Sequence, residues 1–468
     1  QSGLEGNINI QLKNGHLNGK LHSDTLYIMP LFLPLFGLEV KNSNLFTFNS
    51  RIYTLMIRYL QLRILLLLIL FSGFYHLHAQ ENNSLSLESK KIYCQEIEFR
   101  TGKISPTSPR FAPSGPIYSI LFSFGKLNYD HENQWARFHQ FPISGITVGF
   151  TNFGAPEIYG YEVKMVPYIE YIVGKKLSYR PTIKIGLGAS YTTKYYRKNP
   201  ANIALGAPIN WAFELSFRQN VLTTKFGIFR LGVGYIHSSD GHTQLPNMGI
   251  NGLVANISFL HLSTKSNYNP SKRLDKPKME KDLYYFAQFN PIIGFHELGG
   301  PLGPVGGPKR QVYGTNVMAG FVLKHGFKFY IGFGYRYYEH FDYVYHHDQH
   351  PDIEKYSSGF AFASNIYIIN GLEMMYGHFG FTFEGGLNLY KPFYKTYCDL
   401  YSPESPTKFI LKKYLNSRIG LKAYWYNINQ NPKYNFFIGA HVNANLGQAD
   451  FTEISFGFLR NFYRPTSK

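Results

Sequence analysis

The stretch GYIHSSDGHTQLPNMGIN, residues 234–251, holds a histidine and a serine two positions apart and an asparagine beyond a polar loop. A serine hydroxyl is a weak nucleophile until a neighbouring imidazole takes its proton. The imidazole in turn needs a third group to hold its tautomer. His237, Ser239 and Asn251 are the residue types for that chemistry. Their spacing suits it only if the backbone brings them onto one surface.

The flanking segments supply such a surface. In FRLGVGYIHSS, Phe229, Leu231, Val233 and Tyr235 alternate with Arg230, Gly232 and Gly234. Period two with one apolar face is strand structure. The count places His237 and Ser239 at the end of the apolar face and Ser238 on the opposite face, which excludes Ser238 as the nucleophile. In NGLVANISFLH, Asn251, Leu253, Ala255, Ile257 and Phe259 share the apolar face, against Asn256 and Ser258. An antiparallel pair closed by residues 240–250 would therefore gather His237, Ser239 and Asn251 on one outer wall. A reactive group on a lipid-facing wall suits a substrate that is itself in the membrane. The competing interpretation is a polar belt where side chains meet lipid headgroups.

The same alternation recurs along the chain. TIKIGLGASYT sets Ile183, Ile185, Leu187, Ala189 and Tyr191 against Lys184, Gly186, Gly188, Ser190 and Thr192. HFGFTFEGG sets Phe379, Phe381 and Phe383 against His378, Thr382 and Glu384. Charged residues in mid-strand are foreign to a dry core, the strands are long enough to span a membrane, and Tyr and Phe crowd their ends. Aromatic residues make up 17% of the 468 residues and charged residues 16%. The expected fold is all-β: a transmembrane antiparallel outer-membrane β-barrel of about fourteen strands, within a range of twelve to sixteen, a bacterial barrel requiring an even number. The basic segment 263–282 is expected to divide it into halves without making two domains. QNVLTT, residues 219–224, reads as a short periplasmic turn, which would put residues 240–250 outside.

A leader is also expected. From Met56, Arg58 and Arg63 precede an apolar core at 64–71, and small Ala79 closes the segment. That pattern describes a secretory signal peptide, so residues 56–79 are assigned to it, 1–55 to an upstream extension, and 80–468 to a single barrel. The net charge of +18 suits an anionic partner. Cys94 and Cys398 are too few for a disulfide framework or a cysteine zinc site.

Residues 237–251 resemble the signature of the lipid A 3-O-deacylase (PagL-type) family of outer-membrane acyl hydrolases, roughly H-x-S-N followed by P-N-x-G-x and then an acid or Asn. The likeness extends back through GLGASYTTKYYRKNPANIALGAPINWAFEL and covers about residues 140–262. It implies Ser239 as nucleophile, His237 as general base and Asn251 as the residue orienting the imidazole. It also implies Asn247 near the oxyanion and Gly249 in the turn. Asp240 stands where Asn is usual, and Asn251 where the best-known members carry Glu. The implied activity is hydrolysis of an ester-linked acyl chain from lipid A or a related lipid of the cell outer membrane, with no cofactor, metal or nucleic acid. The alternative is a non-catalytic barrel, a pore or structural protein with a degenerate motif. Two further clusters stand out. His346, His347, His350 and Asp352 have a spacing that could bind zinc, or form a hydrophilic loop. Glu384 is a spare carboxylate whose parity turns it inward.

Overall fold

The computed structural model describes residues 92–462, apart from 129–134, 137–138, 174–180, 225, 264–282 and 324–325. The expected leader and extension lie outside the described residues. Residues 89–468 form one compact unit.

Among the described residues, sixteen antiparallel strands of ten to fifteen residues frame this unit. The first eight are β1 (Ile92–Ile104), β2 (Ile117–Leu127), β3 (Ile143–Asn152), β4 (Tyr161–Ile172), β5 (Pro181–Thr192), β6 (Ile209–Thr223), β7 (Ile228–Ser239) and β8 (Ile250–Leu262). The second eight are β9 (Leu283–Glu297), β10 (Lys309–Leu323), β11 (Phe327–Tyr338), β12 (Ser364–Tyr376), β13 (Phe379–Tyr390), β14 (Leu415–Tyr424), β15 (Tyr434–Asn445) and β16 (Gln448–Phe462). The single barrel of about fourteen strands is not what forms. β1 pairs with β8 and β16 pairs with β9, so each set of eight closes on itself as a separate barrel. The basic segment after β8 joins two closed barrels rather than two halves of one. The turn expected at 219–224 also moves: β6 runs on to Thr223, and Thr224 N–H donates to the Gly227 carbonyl to turn the chain (2.8 Å).

Eight-stranded barrels are narrow enough for side chains to fill, and that explains the mid-strand charges. In the first barrel Arg218 pairs with Glu96 (2.8 Å), Lys164 with Glu214 (2.8 Å) and Arg100 with Glu214 (3.0 Å), all buried. Arg230 bridges Glu96 and Glu170. In the second barrel Arg418 pairs with Glu453 (2.6 Å) and Lys422 with Glu373 (2.9 Å). Charges of both signs neutralise one another inside, where removing one partner would cost about 3–5 kcal/mol. The mid-strand charges, foreign to a dry apolar core, thus belong to two packed polar cores.

The outward faces carry exposed Phe99, Ile257, Phe333 and Phe456 among many others. A band of apolar residues this continuous is suited to lipid. One stretch of it is covered. Leu187 faces outward by parity but is only 4% exposed. It packs with Trp211 and Phe213 of the first barrel and with Phe381, Phe383, Ile419 and Leu421 of the second. Polar contacts tie the barrels together at both ends of this seam. At one end Trp211 Nε1–H donates to Thr452 Oγ1 (3.1 Å), and at the other Tyr376 donates to Asn128 Oδ1 (3.2 Å).

Candidate active site

β7 and β8 are held in a register that sets His237 opposite Asn251 and Ser238 opposite Ile250, while β6 sets Trp211 opposite Ser239. Side chains alternate across the sheet, so His237, Ser239 and Asn251 share the outer wall. Ser238 points inward and donates to Glu162 Oε1 (2.5 Å).

The histidine and the asparagine meet directly, with His237 Nδ1 2.8 Å from Asn251 Oδ1. The same oxygen accepts the Tyr235 hydroxyl (2.5 Å). An amide oxygen facing Nδ1 keeps the imidazole proton there and leaves Nε2 as the basic nitrogen. Tyr235 was legible on the apolar face two residues before His237, but nothing in its type marked it as a partner of the distant Asn251.

Ser239 is buried. Its hydroxyl donates to Asn247 Oδ1 (3.1 Å) and accepts from Gly241 N–H (3.2 Å), so its proton is directed at Asn247 and not at His237. Gly249 has φ +68°, and a Cβ there would lie 2.9 Å from His237 Cε1. The glycine thus lets the loop backbone pass against the imidazole.

Asp240 is the candidate that leaves the group. Its Oδ2 accepts from the Gly206 and Ala207 amides (3.2 and 3.1 Å), tying the 240–249 loop to the 193–208 loop. Burial pushes its carboxyl up to about 7. It braces the site without lining it.

The second barrel reaches the same loop. Glu297 Oε2 accepts from Leu245 N–H (2.9 Å), while its Oε1 accepts from Gly306 and Gly307 (2.7 and 2.9 Å). The Pro301 carbonyl accepts from Asn247 N–H (2.9 Å). The His242 ring stacks on His296 (5.3 Å between centroids), and burial holds His242 below the usual histidine range. These partners were missed in sequence because Glu297 opens a segment that reads only as a glycine-rich loop.

A cleft of about 900 Å³ opens over His237, Ser239, Asn247, Gly249 and Asn251. Glu384 points into the second barrel and pairs with Arg418 (3.0 Å). The histidine cluster sits elsewhere, on and after α1 (Glu339–His347). His346 and His347 donate to carbonyls of their own helix (2.8 Å each). His350 Nε2 lies 3.4 Å from Asp399, but Asp352 is engaged by Lys355 and Lys395, whose hydrogen bonds hold its carboxyl down to about 2. That carboxylate is already neutralised by two ammonium groups.

Residues 121–259 match the family described as Lipid A 3-O-deacylase (PagL). The first barrel carries a PagL-family domain. Among solved structures, the outer membrane enzyme PagL is similar at 16% identity, covering 35% of this chain and 97% of its own, with a TM-score of 0.26. CdiB from Acinetobacter baumannii is similar at 9% identity over 81% of this chain and 61% of its own (TM-score 0.15). An outer membrane channel from Pseudomonas putida F1 is similar at 8% identity over 82% and 98% (TM-score 0.18). No curated protein matches the chain. The PagL-family match lies within the first barrel.

Proposed function

We propose that the protein is an outer-membrane ester hydrolase that removes an acyl chain from lipid A or a related lipid. The observation that carries this reading is the His237–Asn251 pair beside Ser239 on an outward wall, inside a PagL-family domain. Ser239 Oγ exchanges its bond to Asn247 for one to His237 Nε2 by rotation about χ1. It then attacks the ester carbonyl as Nε2 takes its proton. Asn251 holds the imidazole by its Nδ1–H. The Asn247 amide, released by Ser239, would then donate its NH₂ to the developing oxyanion. Imidazolium returns the proton to the departing alkoxide, and water, activated by the same histidine, hydrolyses the acyl-enzyme.

Membrane placement is supported by the outward apolar band. The site end of the second barrel carries its three longest connections, 298–308, 339–363 and 391–414, with one tight turn at 446–447, whereas at the opposite end 324–326 and 377–378 are short and 425–433 is intermediate. Long outer loops and short periplasmic turns are the outer-membrane pattern, so the site end is assigned to the outer leaflet. A pore finds no support in two interiors filled with paired charges.

The test is mass spectrometry of lipid A from cells with and without the protein, and with Ser239→Ala. Loss of an acyl chain is expected with the parent protein and not with the variant. Identical lipid A in all three would sink the proposal.

A further inference from the structure

We propose that the second barrel is half of the substrate-binding site: its outer wall seats the acyl chain, and Lys408 above that wall binds the lipid's phosphate. This rests on the reading of Ser239 as the nucleophile. The cleft over Ser239 has two walls. Trp211, Phe213 and Tyr235 line one; Phe383, Ile419, Val442 and Ala444 line the other. Strand register makes the second wall continuous, since Phe383 lies opposite Ile419, Ile419 opposite Val442, and Ser417 opposite Ala444. These are outward-facing positions of β13, β14 and β15, so the surface is one that would otherwise meet lipid tails. A cavity of about 900 Å³ is at the upper end of the range for sites that enclose a whole ligand.

The rim has the opposite character. Helix α2 (Pro406–Tyr414) stands above the cleft, has no buried residue and no acid in its first turn, and directs Lys408 and Lys412 to the cleft. Residues four apart on a helix lie on one face. Lys412 is already paired with Glu404, so Lys408, which is exposed, carries the net positive charge. Ile410, Leu411 and Tyr414 of the same helix are exposed apolar groups, the composition of a helix that rests in a headgroup layer. An apolar trough beneath a cationic rim, with a nucleophile where the two meet, fits an amphiphile with a phosphate at one end and an acyl ester below it. A neutral lipid would leave Lys408 unused, and a short soluble ester would leave the trough empty.

The experiment uses the full chain in phospholipid vesicles with three substrates: phosphorylated lipid A, the same lipid after dephosphorylation, and a short-chain p-nitrophenyl ester. Ala444→Trp narrows the trough. It should lower the ratio of long-chain to short-ester kcat/KM by about tenfold or more, the scale of one to two methylene contacts in an apolar pocket. Lys408→Glu should raise KM for phosphorylated lipid A more than for the dephosphorylated form. In a Ser239→Ala background, a lipid A analogue with a diazirine in its acyl chain should crosslink to peptides from 415–424 or 434–445. Heat-modifiable gel migration confirms folding of each variant. A parent that hydrolyses none of the three substrates overturns the hydrolase reading, and hydrolysis that persists in Ser239→Ala overturns the choice of nucleophile, while the crosslink still decides the cleft. A hydrolysing parent whose crosslinks fall only in 228–262, or whose substrate ratio ignores Ala444→Trp, overturns the two-barrel cleft and leaves the hydrolase reading in place.

Discussion

In the proposed triad Asn251 would do with an amide what a carboxylate usually does. Its oxygen can receive His237 Nδ1–H and the Tyr235 hydroxyl together, which fixes the imidazole but adds no negative charge beside the imidazolium. Asn251→Glu should therefore keep or raise the rate of ester hydrolysis. Asn251→Leu removes the acceptor and should lower kcat by on the order of 10⁴, the cost of a misoriented histidine in a serine triad. Leu at parent speed, with Ser239→Ala inactive, would show that another group orients the ring. Asp240 offers a pH test. Its folded-state carboxyl lies above the usual range, at about 7, so the stability associated with its protonated form is fully present below about pH 4 and lost as pH rises through about 7. Asp240→Asn cannot ionise. Its loop should thus be more stable than the parent's above pH 7, by at most about 4 kcal/mol, and indistinguishable or weaker at pH 4. Thermal unfolding of the two proteins across that range is the measurement, and parallel pH curves would refute the assignment.

At the scale of elements, the register of β7 and β8 creates the site and the 240–249 loop completes it. That loop is held from two sides. Gly249 N–H donates to the Ala204 carbonyl (2.9 Å) within the first barrel, and Leu245 and Asn247 donate to Glu297 and Pro301 of the second. Glu297 is wholly buried and gathers three backbone amides. Glu297→Ala would orphan them at about 1–3 kcal/mol each. Limited proteolysis should then cut between 240 and 250 in a barrel that still migrates as folded, and kcat should fall more than KM rises, because Asn247 loses its seat. A protease-resistant loop with parent kcat would mean that the first barrel holds it unaided.

At the scale of the whole molecule, the seam between barrels makes both run the same way, with Trp211–Thr452 at one end and Asn128–Tyr376 at the other. Lys198 and Glu354 are exposed at the site end of the first and second barrel respectively. Both natural cysteines are buried. Lys198→Cys and Glu354→Cys should each be labelled by an impermeant maleimide in intact cells. Protection of both would put the site on the periplasmic side, and labelling of only one would contradict the common direction of the barrels.

Much of the site was legible because a strand's period of two is a local property. Parity alone set His237, Ser239 and Asn251 on one face and Ser238 and Glu384 on inward faces. It could not count barrels, because inward and outward faces alternate identically whether eight strands close or sixteen. Closure lies in the hydrogen bonds of β1 to β8 and β9 to β16, between segments that carry no local mark of each other. Nor could parity tell a wet lumen from a packed one. Arg218 reads as a mid-strand charge until Glu96 is seen beside it (2.8 Å). The same limit hid the second wall of the cleft. Ile419 and Ala444 read as lipid-facing residues, and only packing of one barrel against the other puts them opposite Ser239. Sequence by itself determined the alternating faces of the strands and the shared wall of His237, Ser239 and Asn251, since each follows from neighbours along the chain. Tertiary structure decided closure, the partner of each buried charge and the far side of the site, since each depends on which distant surfaces come together.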